Sequence, residues 1–158
     1  MKLLIISDTH GIVEPALDYI AAHLEIEQLI HLGDTAKDAR LIAERTGLPM
    51  LAVIGNNDKG EPEPAEHKAV FGGVKMLLMH GHTRFVERGL ANALAASAEA
   101  GADMLMYGHT HFFYYREHDE LHVLNPGSAG GIKVFSATAA LLEVADGQVK
   151  SVEMVTLT

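Results

Sequence analysis

Nine side chains able to ligate a metal or move a proton recur at one kind of position in this chain. They are Asp8 and His10 in Asp8-Thr9-His10, Asp34 in Gly33-Asp34, and Asn56 and Asp58 in Gly55-Asn56-Asn57-Asp58. His80 and His82 in His80-Gly81-His82, and His109 and His111 in Gly108-His109-Thr110-His111, complete the set. Each group directly follows a short apolar run. Carboxylate, amide and imidazole ligands gathered together suit divalent transition metals. Asp8 and His10, two positions apart, fall on one side of an extended segment and could chelate one ion. Alone, an Asp-x-His triplet is as well explained by a helix cap beside a surface histidine, and Gly-Asp by an ordinary turn. Two His-x-His pairs, each ending an apolar run, shift the reading to metal.

The elements that must position these residues are legible from periodicity. Apolar runs at 3–6, 29–32, 51–54, 76–79 and 104–107 read as buried strands, and residues just past the carboxyl ends of such strands converge on one crevice. Helices are expected over 14–22, with Pro15 in the first turn, and over 36–45, with Leu41 and Ile42 on the buried side and Gly47-Leu48-Pro49 as the stop. The alternation through residue 54 predicts a parallel sheet flanked by helices. Residues 59–67, with Pro62 and Pro64 among charges, read as an exposed connector or a flap over the site. Segments 67–70 and 74–79 around Gly72-Gly73 read as a hairpin, and Leu90, Leu94 and Ala98 mark a helix closing at Gly101. Strand-like stretches at 112–117, 121–124, 136–144 and 148–157 succeed each other without helices. They predict a second, mostly antiparallel sheet packed on the first, with helices outside both.

A chain of 158 residues that is 48% hydrophobic and 21% charged can bury a real core, and we expect one domain over residues 1–158. The formal net charge of −9 lacks the basic excess of a phosphate-tracking protein, so no extended nucleic acid is expected as substrate. Two bound divalent cations would still make one pocket locally positive enough for a small phosphate ester. Without cysteine there is neither disulfide nor thiolate nucleophile. The first apolar run is cut short at Ser7-Asp8, too early for a signal peptide, and no run is long enough for a membrane span. A cytoplasmic location with no membrane partner is the resulting expectation, and a homo-oligomer is compatible with it.

Taken in order, D-x-H, G-D, G-N-x-D, H-G-H and G-H-T-H resemble the calcineurin-like metallophosphoesterases, and Asn125-Pro126-Gly127-Ser128 resembles a further turn of their small prokaryotic phosphodiesterase branch. The resemblance implies an α/β, four-layer α-β-β-α sandwich of two mixed sheets flanked by helices. It implies that Asp8, His10 and His111 hold one metal, that Asn56, His80 and His109 hold a second, and that Asp34 bridges them. The cofactors would be two divalent ions, Mn²⁺ first, with Ni²⁺, Fe, Co²⁺ or Zn²⁺ also tolerated by such ligands. The implied reaction is hydrolysis of a small-molecule phosphate ester, a diester rather than a monoester, by in-line attack of a metal-bridging hydroxide. Asn56, His82 and Asp58 are the candidate catalytic residues: His82 against substrate phosphate or a loop carbonyl, Asp58 orienting Asn56 or a ligand histidine.

Where many relatives carry histidine after the G-N pair, this chain has Asn57, which cannot act as an acid toward the leaving group. Slower turnover of poor leaving groups is expected unless His82 or a water substitutes. Ser128 lacks a nucleophile-elbow motif and reads as a structural turn. His31 reads as structural, and His23, His67, His118 and His122 have no motif around them. The alternative function is a non-catalytic metal-binding or protein-interaction scaffold of the same fold. Such a member should have lost ligands, whereas all seven metal positions are kept here.

Overall fold

The computed structural model describes residues 1–132 and 135–158. The first sheet begins with three parallel strands, β1 (Lys2–Ile6), β2 (Gln28–His31) and β3 (Met50–Ala52), linked by helices α1 (Glu14–Ala22) and α2 (Lys37–Thr46). The second is built on β4 (Glu66–Phe71), β5 (Val74–Met79) and β6 (Met104–Met106), with helix α3 (Ala91–Ala100) crossing between β5 and β6. Strands β7 (Phe113–His118), β8 (Leu121–Pro126), β9 (Ala137–Ala145) and β10 (Gln148–Leu157) complete both sheets.

The strand orders are β10-β9-β1-β2-β3 and β4-β5-β6-β8-β7. This corrects the expectation that the last four strands form a sheet of their own. β8 lies parallel to β6 with β7 antiparallel to it, while β9 pairs antiparallel with β1 and carries β10 to the edge. The reason lies in β1: Leu3, Leu4, Ile5 and Ile6 are all fully buried, so the strand needs neighbours on both sides as well as cover on both faces. Both sheets are therefore mixed.

Alternation along the strands assigns the layers. Leu3, Ile5, Ile30 and Leu32 face Met76, Leu78, Met104, Met106 and Leu124 across the inter-sheet core. Their neighbours Leu4, Ile6 and Leu29 turn outward onto Ala16, Leu17, Ile20 and Ile42 of α1 and α2. Leu77, Leu105 and Val123 do the same against Ala93 and Ala96 of α3. Helix α2 buries Ala39 and Ile42, but Leu41 is 42% exposed. Successive helical positions point about 100° apart, and with the buried stripe centred on Asp38, Ala39 and Ile42, Leu41 falls at its edge. Gly47 and Gly101 end α2 and α3 in the left-handed conformation.

Trimming Leu78, fully buried between the sheets, to alanine is expected to cost about 3 kcal/mol. The loss should appear as a lower urea midpoint with unchanged denaturant slope.

Candidate metal centre

All five polar turns lie just past the carboxyl ends of β1, β2, β3, β5 and β6, and they meet at one edge of the sandwich. Their backbones are bent in a way that apolar residues avoid. Six of the nine non-glycine residues with positive φ among the described residues lie here: Asp8, His10, Asp34, Thr35, His109 and His111. Such strain is held only where surrounding bonds over-determine it, and it concentrates at functional sites.

His80 shows what the strain accomplishes. Its ring is fully buried, and Nδ1 lies 2.7 Å from the Leu32 carbonyl oxygen, an acceptor, so Nδ1 carries a proton and donates it there. The other nitrogen, Nε2, faces Asn56 Oδ1 at 3.0 Å, His109 Nδ1 at 3.2 Å, Asp34 Oδ1 at 3.5 Å and Asp8 Oδ1 at 3.8 Å. The oxygens in this set are acceptors, and together with the imidazole nitrogens they form a donor set that a cation can occupy. A second group forms around Asp8: His111 Nε2 is 3.1 Å from Oδ1 and His10 Nε2 is 3.9 Å from it, with the two imidazoles 5.5 Å apart. Asp8, His10 and His111 can converge on one ion, as can Asp8, Asp34 and His80. The donor chemistry fits divalent transition metals. In this geometry the carboxylate common to both groups is Asp8, whereas the resemblance makes Asp34 the shared one.

Burial by itself would raise the pKa of Asp8. Hydrogen bonds from His111 and Ser7, with the nearby charge of His80 and His111, outweigh it and hold the carboxyl below its usual range. The carboxylate is thus ionised at neutral pH and ready to ligate. Its Oδ2 accepts from Ser7 Oγ at 2.5 Å and from the His109 backbone N–H at 3.2 Å, which aims Oδ1 at the histidines.

Asp58 sits elsewhere than the expectation put it. Its carboxylate accepts four backbone N–H groups, from Asp34 (2.9 Å), Gly55 (2.7 Å), Thr35 (2.8 Å) and Ala36 (2.9 Å), rather than orienting Asn56 or an imidazole. It therefore fixes the strained turn that carries Asp34. Gly33 and Gly55 must be glycine for the same packing: a Cβ on Gly33 would stand 2.7 Å from Gly55 N and 2.9 Å from His80 Nδ1. Asn57 donates from its backbone and side-chain nitrogens to the two oxygens of Asp34, at 3.1 and 2.8 Å. His82 is half-buried beside His80, ring centroids 5.4 Å apart, and its Nδ1 is buried without a partner among the described residues. Burial, then the charge of His80 and His109, lowers its pKa.

Sequence reasoning missed the supports beneath the first turn. Thr9 donates its hydroxyl proton to Asp38 Oδ2 at 2.6 Å, and the Gly11 N–H donates to the same oxygen at 2.8 Å. His31 Nε2 lies 2.9 Å from Thr9 Oγ1, and because that hydroxyl's proton is already directed at Asp38, the ring must donate. His31 Nδ1 then accepts the Gly33 N–H at 3.1 Å, which fixes a neutral tautomer. Desolvation in this fully buried position lowers its pKa to about 4. An acidic residue in a first helical turn, such as Asp38, ordinarily answers the helix dipole, so nothing in the sequence marked it. Ser128 is structural: its hydroxyl donates to the Asp8 carbonyl at 2.8 Å.

Asp58→Ala should lower Mn²⁺ affinity by about 10- to 100-fold in calorimetric titration, because it releases the turn beneath Asp34. His31 generates a pH effect. A ring that stays neutral in the fold down to about pH 4, but takes a proton near 6.5 when unfolded, leaves stability complete above pH 6.5. Stability then falls by up to about 1.4 kcal/mol per pH unit toward pH 4. His31→Gln keeps the donor to Thr9 without titrating, so its metal-free form should lose less urea midpoint between pH 7 and pH 5 than the parent.

Comparison with known proteins agrees with this architecture. The model of the calcineurin-like phosphoesterase superfamily domain matches residues 1–147. The probable metallophosphoesterase YsnB of Bacillus subtilis is 33% identical over 129 residues, covering 81% of this chain and 75% of that one. A probable metallophosphoesterase of Methanothermobacter thermautotrophicus is 30% identical over 164 residues, covering 98% and 92%. Among solved structures, an archaeal phosphodiesterase superposes with TM-score 0.80 at 23% identity over 99% of this chain and all of its own. Wild-type Vps29 of Entamoeba histolytica, solved with zinc, superposes with TM-score 0.78 at 27% identity over the full length of both chains. With its sandwich of two mixed sheets and its candidate metal-binding groups at the strand ends, this chain belongs to the calcineurin-like phosphoesterase superfamily.

Proposed function

We propose that the chain is a dinuclear metal-dependent phosphodiesterase acting on a small phosphate ester. The observation that carries this reading is the convergence of His80 Nε2 with the oxygens of Asn56, Asp34 and Asp8 at one buried point, a donor set that suits a cation. Asp8, His10 and His111 would hold one ion, and Asn56, His80 and His109 the other, with Asp34 beside His80 and Asp8 common to the two candidate groups. When bound, such a pair supplies a water activated near neutral pH and offsets charge developing on phosphoryl oxygens. Mn²⁺ is the first candidate for such mixed nitrogen and oxygen ligands.

The chain's own residues then divide the remaining work. Asn57 holds both oxygens of Asp34, and Asp58 holds the turn below it, so the ligand geometry is set before any ion arrives. His82, kept neutral by burial, offers an N–H to a phosphoryl oxygen instead of a proton to the leaving group. A diester fits better than a dianionic monoester because cationic side chains are scarce. Of Lys59, Arg84 and Arg88, Arg84 is already spent on Glu66, at 2.7 and 2.8 Å. The seven ligand positions argue for catalysis, whereas the likeness to Vps29, a protein with a sorting name, favours a non-catalytic binding module as the second reading.

Hydrolysis of bis(4-nitrophenyl) phosphate should require added Mn²⁺ or Ni²⁺, disappear with chelator, and fall about a hundredfold or more in His80→Ala. Hydrolysis indifferent to chelator would overturn the proposal, and metal binding without hydrolysis would favour the second reading. Asn57→His should speed esters with poor leaving groups more than activated aryl esters, and an unchanged ratio would show that the missing acid at position 57 does not limit poor leaving groups.

A further inference from the structure

Beside the group formed by Asp8, His10 and His111 stand two aromatic side chains that the proposed chemistry does not use. Phe112 follows His111 directly, and its ring meets that of Phe135 edge to face, centroids 5.4 Å apart and planes at 78°. Each is 55% exposed, and Ile12, two residues beyond His10, is 50% exposed. Scattered apolar residues on a surface need no explanation, but a contiguous apolar patch at the rim of a polar cradle does.

The pair is built into the cradle rather than hung near it. Phe112 continues the strained turn of His111, whose φ is 67°. Five residues before Phe135, the chain crosses the first metal turn, where Ala129 N–H donates to Ser7 O at 2.8 Å and Gly130 N–H to Asp8 O at 3.2 Å. Only glycine fits at position 130, because a Cβ there would run into the Thr9 carbonyl oxygen. Ile132 and Phe135 then pair backbone to backbone across an antiparallel bridge. The opposite rim differs: Phe85 is half-exposed too, but the Arg88 guanidinium lies 5.7 Å over its ring.

Resting on the phosphoesterase reading of the cradle, we propose that Phe112 and Phe135 form a specificity wall for a flat aromatic substituent on the substrate's phosphorus. A phosphoryl group on an ion held by Asp8, His10 and His111 would lie within about one residue's length of Phe112, which follows His111 in the chain and whose ring meets Phe135. The edge-to-face pair presents one ring face and one ring edge in a corner, the two contacts an incoming flat ring makes best. An extended polyanion is disfavoured by the net charge of −9, so the substrate class is a small aryl-type or nucleobase-bearing phosphate ester.

Titration calorimetry of the Mn²⁺-loaded protein with phenylphosphonate, cyclohexylphosphonate and methylphosphonate tests this without turnover. Phenylphosphonate is expected to bind at least about fivefold more tightly than methylphosphonate and more tightly than cyclohexylphosphonate. The preference should shrink below about twofold in Phe112→Ala and in Phe135→Ala and return in Phe112→Tyr. Equal affinities for phenyl and methyl overturn the wall, and equal affinities for phenyl and cyclohexyl overturn its aromatic character. A preference that survives both alanine variants overturns the assignment to these residues. If no phosphonate binds in the presence of Mn²⁺, the phosphoryl reading of the cradle fails and takes the wall with it. That outcome differs from the others in that methylphosphonate is silent too.

Discussion

The constraint on which the site depends is the hydrogen bond from His80 Nδ1 to the Leu32 carbonyl. It fixes a fully buried ring by one nitrogen and aims the other at Asn56 Oδ1, His109 Nδ1 and the Asp34 carboxylate. The fold thus presents a ready arrangement of ligands. Leu32 belongs to the first sheet's segment and His80 to the second, so this one bond also sets the registry between the two halves of the centre.

The remaining supports hold the ligands against their own backbone preferences. Asp58 gathers four N–H groups under the Asp34 turn, and Asp38 with Thr9 and His31 does similar work under the turn of Asp8 and His10. Ser128 adds a bond to the Asp8 carbonyl. None of these groups needs to touch a substrate. Their contribution is to hold the turns of Asp8, His10, Asp34 and Thr35 at positive φ, positions that would relax if those bonds were lost.

Much of this was legible in the sequence because the centre is assembled from local motifs. Each ligand group abuts a buried strand, and a strand that must be apolar on both faces announces itself as a run such as Leu3 to Ile6. The expected layering follows from the same runs. What stayed hidden was pairing at a distance. Strands 137–145 and 148–157 alternate like any antiparallel pair, and nothing local says that the free edge of β1 will take them in place of the sheet containing β7 and β8. Leu41 was misplaced because an adjacent apolar pair was read without its helical phase. Asp38 was missed because an acidic residue at a helix start has a commoner explanation. Asn57 looked like a lost acid, and only its bonds to Asp34 show what the amide contributes in exchange.

The candidate ligands come from both layers. Asp8, His10, Asp34 and Asn56 follow strands of the first sheet, while His80, His109 and His111 follow strands of the second. A cation coordinated by both is a rivet through the open edge of the sandwich, where the inter-sheet hydrophobic contacts have run out and only polar turns remain. An ion bound there would do mechanical work as well: it would resist the two leaves parting at that end, and affinity for it would be drawn from the same free energy that keeps the leaves closed.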